Sequence, residues 1–466
     1  MTPEDALWLP LRELGRHLHE GSLHPTALAE AALARLETAG PALNCVASLT
    51  RERALVEAHR AGDELKAGRS RGPLHGIPYG AKDLLDAAGG IPSGWGLAGH
   101  TRHVERDAAV LEHLAAAGAV LAAKLSMVEL AGGMRYDQPA ASCTGPGINP
   151  WHRGSWSGGS SSGSGSAVAA GLLPFALGTE TWGSIIGPAG YCGLSGLRPT
   201  LGRVSRRGAM ALSWTLDKIG PLAHSADDCG LLLEALSRPD PEDGHLAERP
   251  FSYDRAALPA RKARLLVPPQ DLAGCDPEVE AAFRAALEVL KPHVEIEEAP
   301  LPTGPFVEAA TVILSAEASA AVGDLVAGQA VQALMAPETH RTPAMFRIIP
   351  ARDYINALRA RQRFHAELLP WVRRYDAIAT PVSKRVALPL DKRFSEYFGL
   401  NRRTQISGLG NLLGWPAITV PNGFGDRGLP TGLQLVGAPW REGRLIALAE
   451  AFQQKTDWHL RRPPVA

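Results

Sequence analysis

Three observations in the 466-residue sequence predict an α/β fold, with helices covering a sheet that contains parallel strands. Segments of helical and strand character alternate along the chain, which is how helices come to lie over parallel strands. No self-similarity appears at a period of about 20–50 residues, so solenoids and propellers are disfavoured. Hydrophobic residues make up 45% and charged residues 21% of the chain, the balance of an ordinary soluble globular protein. The length exceeds that of a usual domain, and allows one large domain or two.

The elements follow in order. In residues 107–124, Asp107 is placed to cap a helix over AAVLEHLAAA, Gly118 to close it in a left-handed turn, and AVLAAKL to continue as a buried strand. SAVAAG (166–171) reads as a short helix after a Gly/Ser loop, and LPFALG (173–178) as a strand leading into TETWGS. Asp276 and Pro277 supply the cap and first-turn residues for a helix over EVEAAFRAALEVL. Residues of about 236–275, rich in Pro, Asp and charge, read as a surface excursion.

Charge and cysteine usage narrow the function. Lys+Arg and Asp+Glu are equal at 48 each, whereas nucleic-acid or anionic-membrane binding normally leaves a basic excess. The expected partner is a small molecule, with no nucleic acid and no membrane. Cys45, Cys143, Cys192, Cys229 and Cys275 are far apart with no CxxC, so neither a disulfide framework nor a zinc site is encoded. Cys143 and Cys192 read as packing residues, and a reducing cytoplasm is expected. The N-terminal stretch has acids where a signal peptide needs basic residues, and no uninterrupted apolar run approaches membrane-spanning length. The fifteen histidines show no ligand spacing.

GGSSSGSGS (158–166) holds the densest cluster of hydroxyls. A flexible linker is one reading, but apolar helix and strand signals bound the run directly. A phosphate cradle is another, without GxxxxGK[ST] to support it. GSSSG (159–163) also matches GxSxG with Ser161 at its centre, a weak pattern in so Gly/Ser-rich a run.

The wider pattern is more specific. GGSS, then GSI with its proline 24 residues after Ser160, and GLRPT (196–200) are accompanied in order by HGIPYGAKDLLD (75–86), NPW (149–151), GRVSRRGAMALSWTLDKIGPLAHSADD (202–228), YDAIATP (375–381) and GWPAITVPNGF with GLPTGLQLVGAPW (414–440). This set resembles the amidase signature family. The resemblance implies one α/β domain over 1–466, with a mixed, twisted sheet covered by helices on both faces and a signature core of about 70–230. It implies a Ser-cisSer-Lys triad, with Ser184 as nucleophile, Ser160 as bridging serine and Lys82 as base. Thr181, Trp182, Gly183 and Ser184 would supply oxyanion-hole N–H groups. The chemistry is self-consistent: a serine needs a base, a lysine is one only when neutral, and burial depresses its pKa. No metal or organic cofactor is required.

Relatives commonly carry Asp, a small residue and Arg where this chain has Glu180, Trp182 and Ile186. Losing an arginine there removes an anion clamp. Trp95, Trp182, Trp214 and Ile186 are therefore expected to bind substrate in an apolar pocket. Asp83, Arg198 and Asp217 read as structural. The expected activity is hydrolysis of neutral apolar or aryl amides, extending to esters and carbamates, by a monomer or homodimer. The alternative is the glutaminase subunit of a tRNA-dependent amidotransferase.

Overall fold

In the computed structural model, residues 1–133, 135–255, 261–326, 333–336, 348–399 and 404–464 are described. Among them the strands are β1 (Val46–Leu49), β2 (Pro78–Lys82), β3 (Val120–Leu125), β4 (Ile148–Asn149), β5 (His152–Trp156), β6 (Phe175–Glu180), β7 (Ser195–Arg198), β8 (Lys218–Ala223), β9 (Ala263–Val267), β10 (Val294–Glu298), β11 (Ala377–Pro381), β12 (Ala417–Phe424) and β13 (Pro430–Val436). Eleven of these form one sheet, ordered β1-β3-β2-β6-β8-β7-β12-β13-β11-β9-β10, while β4 and β5 pair separately. Parallel pairing joins β2 to β3 and β6, and β9 to β10 and β11. The centre, from β6 through β8, β7, β12 and β13 to β11, is antiparallel. The sheet is thus mixed.

Burial follows sheet position. Every residue of β2, β3, β6, β7 and β8 is buried, as strands covered on both faces must be. Edge strand β10, VEIEE, leaves its glutamates exposed, and charge at an edge discourages pairing with another chain. Helix Ser162–Ala169 packs on β2, β3 and β6, and helix Ile186–Cys192 on β7, β12 and β13. These two helices bring the Gly/Ser run and the GSI segment to the middle of the sheet.

Local signals mostly hold. Helix Ala109–Ala116 leads to Gly118 at φ +81° and then into β3. Asp107 does not cap that helix, however. Its carboxylate takes both terminal nitrogens of Arg53, at 2.8 and 2.7 Å, and the N–H of Ala88 at 2.7 Å. A charge-assisted bidentate pair outweighs a capping bond. Helix Pro277–Leu290 starts as expected, although Asp276 makes no capping bond and faces Arg385 Nε at 3.3 Å. The expected excursion of about 236–275 needs correction: its last part is β9, buried between β11 and β10, because the apolar run ARLLV is hidden among charged neighbours in the sequence. Cys143 is exposed and not packed, whereas Cys192 is buried with Sγ 3.2 Å from the Ser157 carbonyl.

Helix Phe306–Val326 is long and apolar enough to cross a membrane by length and composition alone, at a mean hydropathy of 1.4. Half of its most apolar stretch is buried inside the molecule. The helix packs on helices Ala351–Val372 and Gln405–Leu412, which is how a core helix behaves.

Candidate active site

The hydroxyls of the Gly/Ser run mostly fasten helix Ser162–Ala169 to its neighbours. Ser164 Oγ donates to the Leu177 carbonyl at 2.9 Å and Ser166 Oγ to the Ile148 carbonyl at 2.6 Å. Ser161, fully buried, exchanges hydrogen bonds of 3.3 Å with the carbonyl and N–H of Thr179. Gly163 allows the approach: a Cβ there would stand 2.4 Å from the Cys45 carbonyl oxygen.

Ser160 is used differently. It follows a cis Gly159–Ser160 peptide, is 1% exposed, and its Oγ lies 2.7 Å from Lys82 Nζ. Lys82 ends β2, and the same Nζ donates to Thr179 Oγ1 on β6 at 2.9 Å. The parallel pairing of β2 with β6 brings the two strand ends together. Burial pushes the Lys82 ammonium down to about 7, and the negative charges of Asp217 and Glu180 partly oppose that shift. A lysine in this state can be neutral at ordinary pH and take a proton.

The segment after β6 is held by carboxylates. Glu180 accepts from the N–H groups of Ile185 and Ile186 at 2.9 and 3.0 Å, from Arg198 Nη1 at 2.7 Å and from Asn411 Nδ2 at 3.0 Å. Burial alone would raise the Glu180 carboxyl, but Arg198 above all overcomes this and holds it down at about 2. The next residue on, Thr181, donates through Oγ1 to Asp217 Oδ1 at 2.5 Å, and Asp217 Oδ2 accepts from the N–H groups of Leu212 and Ser213 at 2.8 and 2.9 Å. Gly183 adopts φ +89° and Ser184 is half-buried. Glu180, Arg198 and Asp217 therefore organise backbone around Ser184. Asp83 is structural too, but elsewhere: it accepts from Lys124 Nζ at 3.2 Å and from the Gly94 N–H at 2.9 Å.

A cavity of about 450 Å³ opens beside Thr179 and Thr181. Leu84, Met210, Leu212, Trp214 and Ile219 give it apolar walls. Its two lining arginines are both engaged: Arg207 Nε with Asp240 at 3.0 Å, and the Arg206 guanidinium with the Trp214 carbonyl and, at 3.9 Å, with Asp243. A second cavity of about 640 Å³ adjoins it, lined by Trp95 and Trp214 among others. Trp182 lines neither cavity; it packs half-buried against a cluster containing Ile186 and Trp415. Ile186 is 2% exposed and lines a crevice of about 40 Å³ beside Gly159 and Gly183. An arginine at 186 would enter this apolar cluster, so position 186 is not a pocket wall of the kind expected. Sequence reasoning missed Thr179 as a partner of Lys82, although it lies in the same motif five residues before Ser184. It also missed Asn411, for which no local signal exists.

Comparison with known proteins bears on the family and the fold. The family model described as Amidase matches residues 27–446. A glutamyl-tRNA(Gln) amidotransferase subunit of Chloroflexus aggregans (strain MD-66 / DSM 9485) is 37% identical, over 96% of both chains. Among solved structures, the native peptide amidase of Stenotrophomonas maltophilia overlays with a TM-score of 0.85 at 30% identity, covering 97% of this chain and 98% of that one. The glutamyl-tRNA(Gln) amidotransferase subunit of the same type from Thermotoga maritima overlays at 0.77 and 25% identity, covering 100% and 98%. A match that runs nearly end to end, on a fold whose central strands carry the motif residues, makes this chain a member of the amidase signature family and an enzyme that hydrolyses C–N bonds.

Proposed function

We propose that the chain cleaves neutral, apolar or aryl amides through an acyl-enzyme on Ser184. The observation that carries this reading is the buried Lys82–Ser160 contact of 2.7 Å, joined through the bond from Lys82 to Thr179 to a cavity with apolar walls that Thr179 lines. Neutral Lys82 takes the proton of Ser160 while donating to Thr179, and Ser160 takes the proton of Ser184. The Ser184 Oγ–carbon bond forms, the C–N bond breaks, and the amine leaves with the proton returned through Ser160. Water then attacks the acyl-enzyme. Backbone N–H groups of 181–184 stabilise the oxyanion, each donor being worth about 3–4 kcal/mol. Esters and carbamates pass through similar tetrahedral intermediates and are expected substrates. Trp214 and Trp95 are assigned to substrate contact, while Trp182 and Ile186 back the nucleophile segment from the core. Five free cysteines fit a reducing compartment such as the cytoplasm.

A second reading has better support from the named sequence relatives: the glutaminase subunit of a tRNA-dependent amidotransferase complex. The cavity walls and the closer overlay on a peptide amidase support the first. The purified chain alone, offered an aryl amide, an ester, a carbamate and glutamine with released amine or ammonia quantified, decides between them. Turnover of the aryl amide without preference for glutamine is expected. Glutamine as the sole substrate, or activity only with partner proteins, would establish the second reading. Ser184→Ala should abolish turnover, and a serine-directed covalent inhibitor should label Ser184. Label on Ser161 would refute the assignment.

A further inference from the structure

The two cavities share one thin partition. Gly208, Ala209, Met210, Ala211 and Trp214 line both the 450 Å³ and the 640 Å³ space. A segment with empty space on both sides has fewer packing contacts to hold it, because each void removes partner atoms. Trp214 is itself 59% exposed. The 208–210 end of the wall is tied to the 84–86 segment by backbone bonds of 2.8 and 3.0 Å, and the Trp214 ring donates to His245 Nε2 at 2.7 Å, which leaves the backbone on either side of Trp214 to be held.

Glu317 meets that need. It lies in the middle of helix Phe306–Val326 and is 7% exposed. Its Oε2 accepts from Ser213 Oγ at 2.5 Å and from the Thr215 N–H at 2.9 Å, while Oε1 accepts from Thr215 Oγ1 at 2.9 Å and from Tyr354 OH at 2.8 Å. Three of these four donors flank Trp214, and the fourth anchors the carboxylate to helix Ala351–Val372. Ser213 is the junction: its hydroxyl goes to Glu317, and its N–H goes to Asp217, which also holds Thr181. A buried carboxylate is costly unless its bonds are satisfied, and here the satisfying groups belong to the wall of the cavity.

We propose that Glu317 is a positioning residue for substrate selection: by gripping Ser213 and Thr215 it sets the position of Trp214 and of the partition. Through Ser213 and Asp217 it also ties that partition to Thr181 beside the nucleophile. This rests on the reading of the 450 Å³ cavity as the substrate pocket. Its effect belongs to large substrates, which reach the partition, and not to small ones.

The test compares a large aryl amide with an acetamide-sized one. Glu317→Gln replaces one acceptor by an NH₂ group facing donors, so the grip on the loop fails. KM for the aryl amide should rise about 10-fold or more, with kcat and the small substrate changing by less than about 3-fold. Ser213→Ala should act in the same direction. The double variant should be no worse than Glu317→Gln alone, because the bond that Ser213→Ala removes is one of those that Glu317→Gln disturbs. If Glu317→Gln does not fold, Ser213→Ala and Thr215→Ala carry the same comparison. Equal losses on both substrates, or a lowered Tm with no KM split, overturn the proposal and leave Glu317 a core residue. Absence of turnover of either amide by the unmutated chain overturns the amidase reading instead, and this inference with it.

Discussion

On the proposed mechanism, Lys82 is the residue on which pH dependence turns. Burial lowers it from 10.5 to about 7, and Asp217 is the first of the charges that pull it back up. The base must be neutral, so kcat/KM should rise as pH passes about 7 and level off above it. Asp217→Asn removes an anion that favours the ammonium form, so the rising limb should move to lower pH even where the plateau drops because the bond from Thr181 is weakened. A kcat/KM profile over about pH 5–9 reads both quantities. A limb that stays in place or moves upward would show that Asp217 does not act on Lys82, and a plateau already reached by about pH 5 would exclude a lysine base.

At the scale of the element, the turn between β6 and helix Ile186–Cys192 depends on Glu180. Its carboxylate collects two N–H groups from the start of that helix, together with Arg198 from β7 and Asn411 from helix Gln405–Leu412. Glu180→Gln leaves the guanidinium of Arg198 buried without its counter-charge and should cost about 3–5 kcal/mol in urea unfolding. Exposed pairs such as Arg16–Glu20 on helix Leu11–His19 should cost at most about 1 kcal/mol when broken. The pH sign is also set. Because the folded carboxyl sits near 2 against an ordinary 4.5, its contribution is present above about 4.5 and is lost as pH falls toward 2. A loss below about 1 kcal/mol for Glu180→Gln would mean that the turn is held by packing alone.

Over the whole molecule, the sheet order brings distant segments to one cavity: β6, β8 and the 206–214 segment meet there, with helix Phe306–Val326 behind the partition. Size selection should depend on this assembly more than on the nucleophile segment. Trp214→Ala should lower kcat/KM for a large aryl amide by about 1–3 kcal/mol and for an acetamide-sized one by much less, as expected for lost apolar contact. Steady-state kinetics on the pair checks it. Equal losses on the two substrates would assign Trp214 to loop support and remove it from the pocket.

Through the family that its motifs resemble, the amino-acid order nominated Lys82, Ser160 and Ser184; by itself it determined the alternation of helix and strand, the buried strand after Gly118 and the helix after Pro277. These are local properties: period, caps and turn residues are written within a few positions of one another. Only the tertiary structure decided which partner each polar group took. Asp107 turned from its expected cap to Arg53, 54 residues earlier, and Arg198 reached the carbonyl of Trp415, 217 residues later. ARLLV became β9 although its surroundings read as surface. Ile186, two residues past Ser184, went into the core instead of the pocket, and Glu317 came to grip a loop that carries no sign of it in sequence. The physical reason is common to all five. Burial and hydrogen-bond satisfaction depend on which surfaces the strand order juxtaposes, and that order places β7 between β8 and β12, segments nearly 200 residues apart.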